Sequence, residues 1–166
     1  MPRAAAAKAA PADSPDIAEF RKRMREKRGG QHLYAALLGF GSLETQELLA
    51  RVQAGFAFRV FERFRKNLDL PARELSALTQ IPERTLARRR EEGRLTAEES
   101  DRLLRASRVF GRALQLFEGD LDAARSWFLA PAPALGNRTP KDFAATELGA
   151  REVENLIGRL EHGVFS

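Results

Sequence analysis

The stretch RELSALTQIPERTLARRR, Arg73 to Arg90, decides how this chain folds. Its apolar anchors stand at Leu75, Leu78, Ile81 and Leu86, a spacing that misses the alternation of a strand and fits two short helices sharing a buried seam. The first helix is expected from about Pro71 to Leu78 and the second from Pro82 to about Glu92, where Gly93 stops it. Between them lies a step of three residues, Thr79-Gln80-Ile81, and the small Ser76 lets the two helices approach. Gln80 occupies a turn position where glycine is commonest, and a left-handed backbone there costs it on the order of 1 kcal/mol. With Ile81 and Leu86 inward, a period of 3.6 turns Glu83, Arg84, Ala87 and Arg88 outward. That is the layout of a helix-turn-helix, whose second helix meets base edges in the major groove. Arg84 and Arg88 lie one turn apart, and each guanidinium can pair in bidentate fashion with guanine. Arg89 and Arg90, at the flank, suit phosphate, and Thr85 completes the set expected to touch double-stranded DNA.

On the N-terminal side of this hairpin, Ser42 is a candidate cap before Leu48, Leu49 and Val52, and Gly55 punctuates. Phe56, Val60, Phe61, Phe64 and Leu68 then recur at spacings of three and four, with Arg59, Arg63, Arg65 and Lys66 outside the stripe. On the C-terminal side, Thr96-Ala97-Glu98-Glu99 forms a capping box that opens a long helix with Leu103, Ala106, Phe110, Ala113, Leu114 and Phe117 on one face. Gly119 ends it. Asp120 caps a further helix through Leu121, Ala124, Trp127 and Phe128, Ala130 to Pro133 make a rigid connector, and a last helix carries Val153, Ile157, Leu160 and Val164. The expected fold is therefore all-α, with a helix-turn-helix domain at 41–95, a second helical domain at 96–166, one core for 42–95 and a second, packed against it, for 96–166. Residues 1–40 are expected to be a flexible basic arm: 1–15 are Ala/Pro-rich, and DIAEFRKRMREKR at 16–28 makes at most a short basic helix before Gly29-Gly30.

Composition narrows the function classes. The chain has 166 residues, 43% hydrophobic and 31% charged, enough for one medium domain or two small ones. With no cysteine and only His32 and His162, far apart, thiolate chemistry is excluded and no metal site is expected. The pairs Gly29-Gly30 and Gly39-Phe40-Gly41 lack the strand and the Lys-Ser/Thr of a phosphate loop, and Asp120 and Asp122 read as helix-capping residues. No catalysis and no cofactor are expected. No apolar run approaches the roughly 18 residues that span a bilayer, and no secretory signal opens the chain, so a cytoplasmic protein, nucleoid-bound when on DNA, is expected. Net charge is +5, distributed as +4 over 1–30, +3 over 31–95 and −2 over 96–166. The basic front suits a polyanion, and the acidic back has a different task.

Three motifs in that back half carry a resemblance: RLTAEESDRL at 94–103, ALGNRTP at 134–140 and GAREVENLIGRLEHG at 149–163. In this order and spacing they resemble the toxin-binding domain of Xre/MbcA/ParS-type antitoxins, and with the Xre/Cro-like helix-turn-helix the resemblance covers roughly residues 40–166. The substituted Pro131-Ala132-Pro133 connector and Gln80 are mild departures. The resemblance implies a type II antitoxin whose partner is a RES-domain toxin that consumes NAD or transfers from it, and which also binds operator DNA to repress its operon. It implies a toxin-binding set at the C-terminal end, Arg159, Leu160, Glu161, His162, Gly163, Val164, Phe165 and Ser166, joined by Arg138 on the 134–140 turn. There Glu161 and the terminal carboxylate offer negative charge to a pyrophosphate site, and Phe165 offers an aromatic ring to a nicotinamide slot. A homodimer on a palindrome is expected, since one short helix reads too few bases to select a site. The alternative is a stand-alone repressor whose second domain only dimerises.

Overall fold

Nine α-helices occur among the residues described by the computed structural model, 14–27, 30–41 and 44–163. They are α1 (Pro15–Glu26), α2 (Thr45–Ala54), α3 (Phe58–Leu68), α4 (Ala72–Thr79), α5 (Glu83–Glu92), α6 (Ala97–Leu116), α7 (Leu121–Leu129), α8 (Pro140–Phe143) and α9 (Glu147–Glu161). Two 3-10 segments, Gly30–Leu38 and Pro133–Leu135, link them, and the described residues contain no β-strand, only isolated bridges at Ala57–Arg94 and Ala132–Arg138. The all-α expectation holds.

The middle of the chain follows its local signals closely. Glu44 stands at the N-cap of α2, its amide donating to the Glu47 carboxylate at 3.0 Å; Ser42, the expected cap, lies outside the described residues. α4 and α5 form the expected hairpin. Gln80 adopts the left-handed backbone (φ 52°, ψ 37°), tolerated because its amide and the next one reach back to carbonyls of α4. Ser76 Oγ donates to the Ile81 carbonyl at 2.6 Å, so the small residue both admits the second helix and ties the turn. At α6 the capping box forms as expected: Thr96 Oγ1 accepts from the Glu99 amide at 3.2 Å, and Glu99 accepts from the Thr96 amide at 2.9 Å. Gly55 (φ 81°) has its missing Cβ position 2.3 Å from the Leu95 carbonyl oxygen, so only glycine lets α2 turn this closely under the start of α6.

The N-terminal region corrects its reading. A flexible arm over 1–40 does not describe residues 14–27 and 30–41, whose side chains fill the core; residues 1–13, 28 and 29 lie outside the described set. Ser14 caps α1 through the Ile17 amide, Pro15 occupies its first turn, and Ile17 and Phe20 are fully buried. Asp16 is the staple. It accepts from Arg63 Nε and Nη2, both at 2.6 Å, and from Asn67 Nδ2 at 2.7 Å, which also donates to the Leu37 carbonyl. The following 3-10 segment, kinked at His32, buries Leu33, Ala35, Ala36, Leu37 and Leu38, and crosses α6 at Gly111, where a Cβ would come within 2.9 Å of Tyr34 Cβ.

The two cores expected for 42–95 and 96–166 are one. Buried residues from α1, the long 3-10 segment, α2 through α7 and α9 join a single apolar cluster around α6, with the partly buried Phe143 of α8 packed against it. That helix has 20 residues, about 30 Å of rod, and it receives the helix-turn-helix on its first half and α7 and α9 on its second.

Candidate functional site

α5 fully buries one residue, Leu86, with Thr85 and Arg89 partly covered and the others exposed, so its position depends on supports at both ends. At its start the turn is held from α6, where Arg102 Nη1 donates to the Gln80 carbonyl at 3.2 Å. At its end, Arg89 folds inward. Its guanidinium donates to both Glu99 carboxylate oxygens at 2.8–3.0 Å and to Glu92 at 2.9 Å, leaving the side chain 15% exposed. The expectation that Arg89 meets phosphate is corrected: the capping box delivers a buried carboxylate to it, and that partner outcompetes solvent. Burial pushes the Glu99 carboxyl up, but the hydrogen bonds from Arg89 and the Thr96 amide prevail and hold it below the usual carboxylate range.

Arg84 and Arg88 remain on the open face, one turn apart. Arg84 is exposed with no carboxylate partner among the described residues, and Arg88, 61% exposed, is only loosely paired with Glu92 at 4.0 Å. Thr85 is half-buried beside them. Arg90 is 67% exposed, lies 5.5 Å over the Phe58 ring and 3.4 Å from Glu62, and points to the flank. The unpaired Arg84 and the loosely paired Arg88 on a braced helix match what base reading needs, donors on one exposed face.

The second candidate surface divides in two. α6 and α9 run side by side in the same direction, and arginines on α6 meet carboxylates on α9 in order: Arg105 with Glu147 at 3.6 Å, Arg108 with Glu154 at 2.7 Å and Arg112 with Glu161 at 2.9 Å. The carboxylates are seven residues apart and so share one face. The glutamate expected to enter a partner's pocket is thus held by Arg112. Leu160 is half-buried against the core, Arg159 is half-buried beside it, and His162 and Gly163 (φ 67°) are exposed at the helix end. Val164, Phe165 and Ser166 lie outside the described residues.

Arg138 is not brought to that end. It stacks 5.0 Å over Phe143 near the start of α9, a helix of 15 residues and so about 22 Å long. There the structure adds a residue that the sequence reading passed over, Leu148, 75% exposed beside Phe143, Thr146 and Glu152 around a hollow of about 420 Å³. Its signal was available: Leu148 is apolar yet out of register with Val153, Ile157 and Leu160. Gly149 makes this corner possible, since a Cβ there would fall 1.7 Å from the Phe143 carbonyl oxygen.

Among the described residues no group of His, Asp and Glu is placed to hold a metal ion, and no helix is long and apolar enough to cross a membrane. A family model described as the antitoxin Xre-like helix-turn-helix domain matches residues 47–108, and one described as the antitoxin Xre/MbcA/ParS C-terminal toxin-binding domain matches 112–163. The two meet inside α6. The chain is similar to proteins named Antitoxin Xre from Yersinia enterocolitica, with 44% identity over 72% of this chain and 81% of that one, and from Photorhabdus laumondii, with 35% identity over 78% and 88%. A third relative of that name, from Pseudomonas putida, is 30% identical over 81% of this chain and 86% of its own.

Proposed function

This chain belongs to the Xre family of antitoxins, with a helix-turn-helix DNA-binding domain and a toxin-binding domain, and we propose that its toxin is a RES-domain protein that consumes NAD or transfers from it. In this reading the antitoxin closes the toxin's NAD pocket with its C-terminal end and, as a homodimer in the cytoplasm, binds an operator palindrome to repress its own operon. One observation carries the reading: two open surfaces stand on one core, the Arg84–Arg88 face of α5 and the free end of α9, at the limit of the toxin-binding match. His162 and Gly163 are exposed just past the Arg112–Glu161 pair, which holds the last turn of α9 against α6 and limits the ordering entropy that these two residues lose on docking. Arg159 suits an acidic rim residue, and the Arg138–Phe143–Leu148 corner supplies a second, apolar contact to the same partner.

Deletion of residues 161–166 tests this in cells producing the toxin. The truncated chain is expected to bind operator DNA as the intact chain does and to lose protection. Full protection by the truncated chain rules out pocket closure by this end and moves the contact to the Leu148 corner.

A further inference from the structure

A cleft of about 390 Å³ opens between the end of α2, the start of α3 and the turn after the long 3-10 segment, and four arginines line it: Arg51, Arg59, Arg63 and Arg94. In the sequence they lie far apart, at 51, 59, 63 and 94. Gathered, they form a strongly cationic recess. Asp16 neutralises Arg63, but no carboxylate among the described residues pairs with Arg51, Arg59 or Arg94. Arg94 is instead aimed by the Ala54 and Gly55 carbonyls, at 3.2 and 2.5 Å, and Arg51 lies 5.0 Å over the Phe40 ring. Ala57, the N-cap of α3, lines the recess and offers no side-chain acceptor, so the positive end of that helix dipole adds to the field.

Keeping like charges together in one recess is unfavourable unless an anion joins them. The recess is also continuous with the DNA-facing helix. Ala57 and Arg59 line both it and a shallower hollow whose other walls include Phe58, Glu62, Gly93 and Arg90 of α5. A track of guanidiniums therefore leads from Arg90 through Arg59 to Arg51 and Arg94. We propose that this recess is a phosphate-binding site that holds the DNA backbone flanking the bases read by α5, with Arg59 and Arg51 as its principal contacts. The proposal rests on α5 facing DNA. It concerns affinity rather than sequence preference, because phosphate carries no base information.

Binding of the full chain to operator and scrambled duplexes, measured across a series of salt concentrations, tests it. The variant Arg51→Gln/Arg59→Gln is expected to weaken both duplexes by the same factor and to lower the slope of log K against log salt by about 2, close to 0.9 per lost phosphate contact. Arg51→Lys/Arg59→Lys retains the charges and is expected to restore most of the slope, which separates loss of contact from loss of fold. The Arg84→Ala/Arg88→Ala variant is the control for the underlying reading: it should lose operator preference while its slope falls far less. An unchanged slope in the glutamine variant overturns the recess as a phosphate site, and a loss confined to the operator overturns the backbone role. Inorganic pyrophosphate or ADP at constant ionic strength supplies the last arm. Tight binding of either to the intact chain, lost in the glutamine variant while its DNA slope is unchanged, assigns the recess to a small phosphate ligand and overturns the proposal. If the intact chain binds neither duplex, both the proposal and the DNA reading of α5 fall.

Discussion

Glu99 holds two structures together with one carboxylate, closing the cap of α6 at the Thr96 amide and anchoring α5 through Arg89. Replacing it with Gln removes the buried one of the two carboxylates on Arg89 and leaves only the half-exposed Glu92, so Glu99→Gln is expected to lower the urea midpoint at neutral pH. The pH dependence has a definite sign. The folded carboxyl titrates below the unfolded value of 4.5, so its contribution is complete above that value and is lost as pH falls through the folded one. The stability gap between the parent and Glu99→Gln should therefore be constant near neutrality and narrow below about pH 4.5; a gap that widens in acid contradicts the assignment. On α5 the arginines separate by role. Arg84→Ala or Arg88→Ala should each cost about 1 to 3 kcal/mol of operator binding and relax base preference with the melting temperature unchanged, as binding isotherms and thermal denaturation will read. Arg89→Ala should lower the melting temperature first. The outward face of α5 was readable from period alone, because Ile81 and Leu86 define the inside. The fate of Arg89 was not, since its partner Glu99 lies ten residues on and already had a sufficient local role as a cap.

Elements that carried their own boundary signals were found where expected, and those defined by distant partners were not. Pro71, Gly93, Thr96, Gly119 and Asp120 all mark real ends. α1 looked like a solvated basic tail because Ile17, Phe20 and Met24 sit among six Arg and Lys residues between Asp16 and Arg28. What makes it part of the fold is Asp16 meeting Arg63 and Asn67, some fifty residues away, which no local pattern encodes. Phe20→Ala should therefore cost about 3 to 5 kcal/mol, the penalty of a buried aromatic, where a flexible arm predicts no change in urea midpoint. The α8–α9 corner gives a second element-level test. Gly149→Ala forces a Cβ into the Phe143 carbonyl, so it should destabilise by more than 1 kcal/mol and displace the Arg138–Leu148 surface, and undiminished toxin affinity in a folded Gly149→Ala protein would remove that surface from the interface.

At the scale of the molecule, reading the chain as two domains captured the order of functions but not the mechanics. α6 belongs to both modules, and polar ties cross between them: Lys141 of α8 with Glu74 of α4, Arg102 with the Gln80 carbonyl, Arg89 with Glu99. The apolar stripe of each half reads as complete on a helical wheel, and only the cluster around α6 shows that the two expected cores are joined into one. Calorimetry should accordingly give a single transition with equal calorimetric and van't Hoff enthalpies, whereas two resolved transitions would restore the two-core picture. In the proposed function, DNA reading and toxin neutralisation fall to separate faces built on one shared core. The sharpest test of that statement is NAD turnover by the purified RES-domain protein proposed as its toxin, titrated with the intact antitoxin and with the Arg84→Ala/Arg88→Ala variant. Both chains should suppress NAD loss with the same stoichiometry, while NAD loss that continues undiminished in excess intact chain would contradict the account.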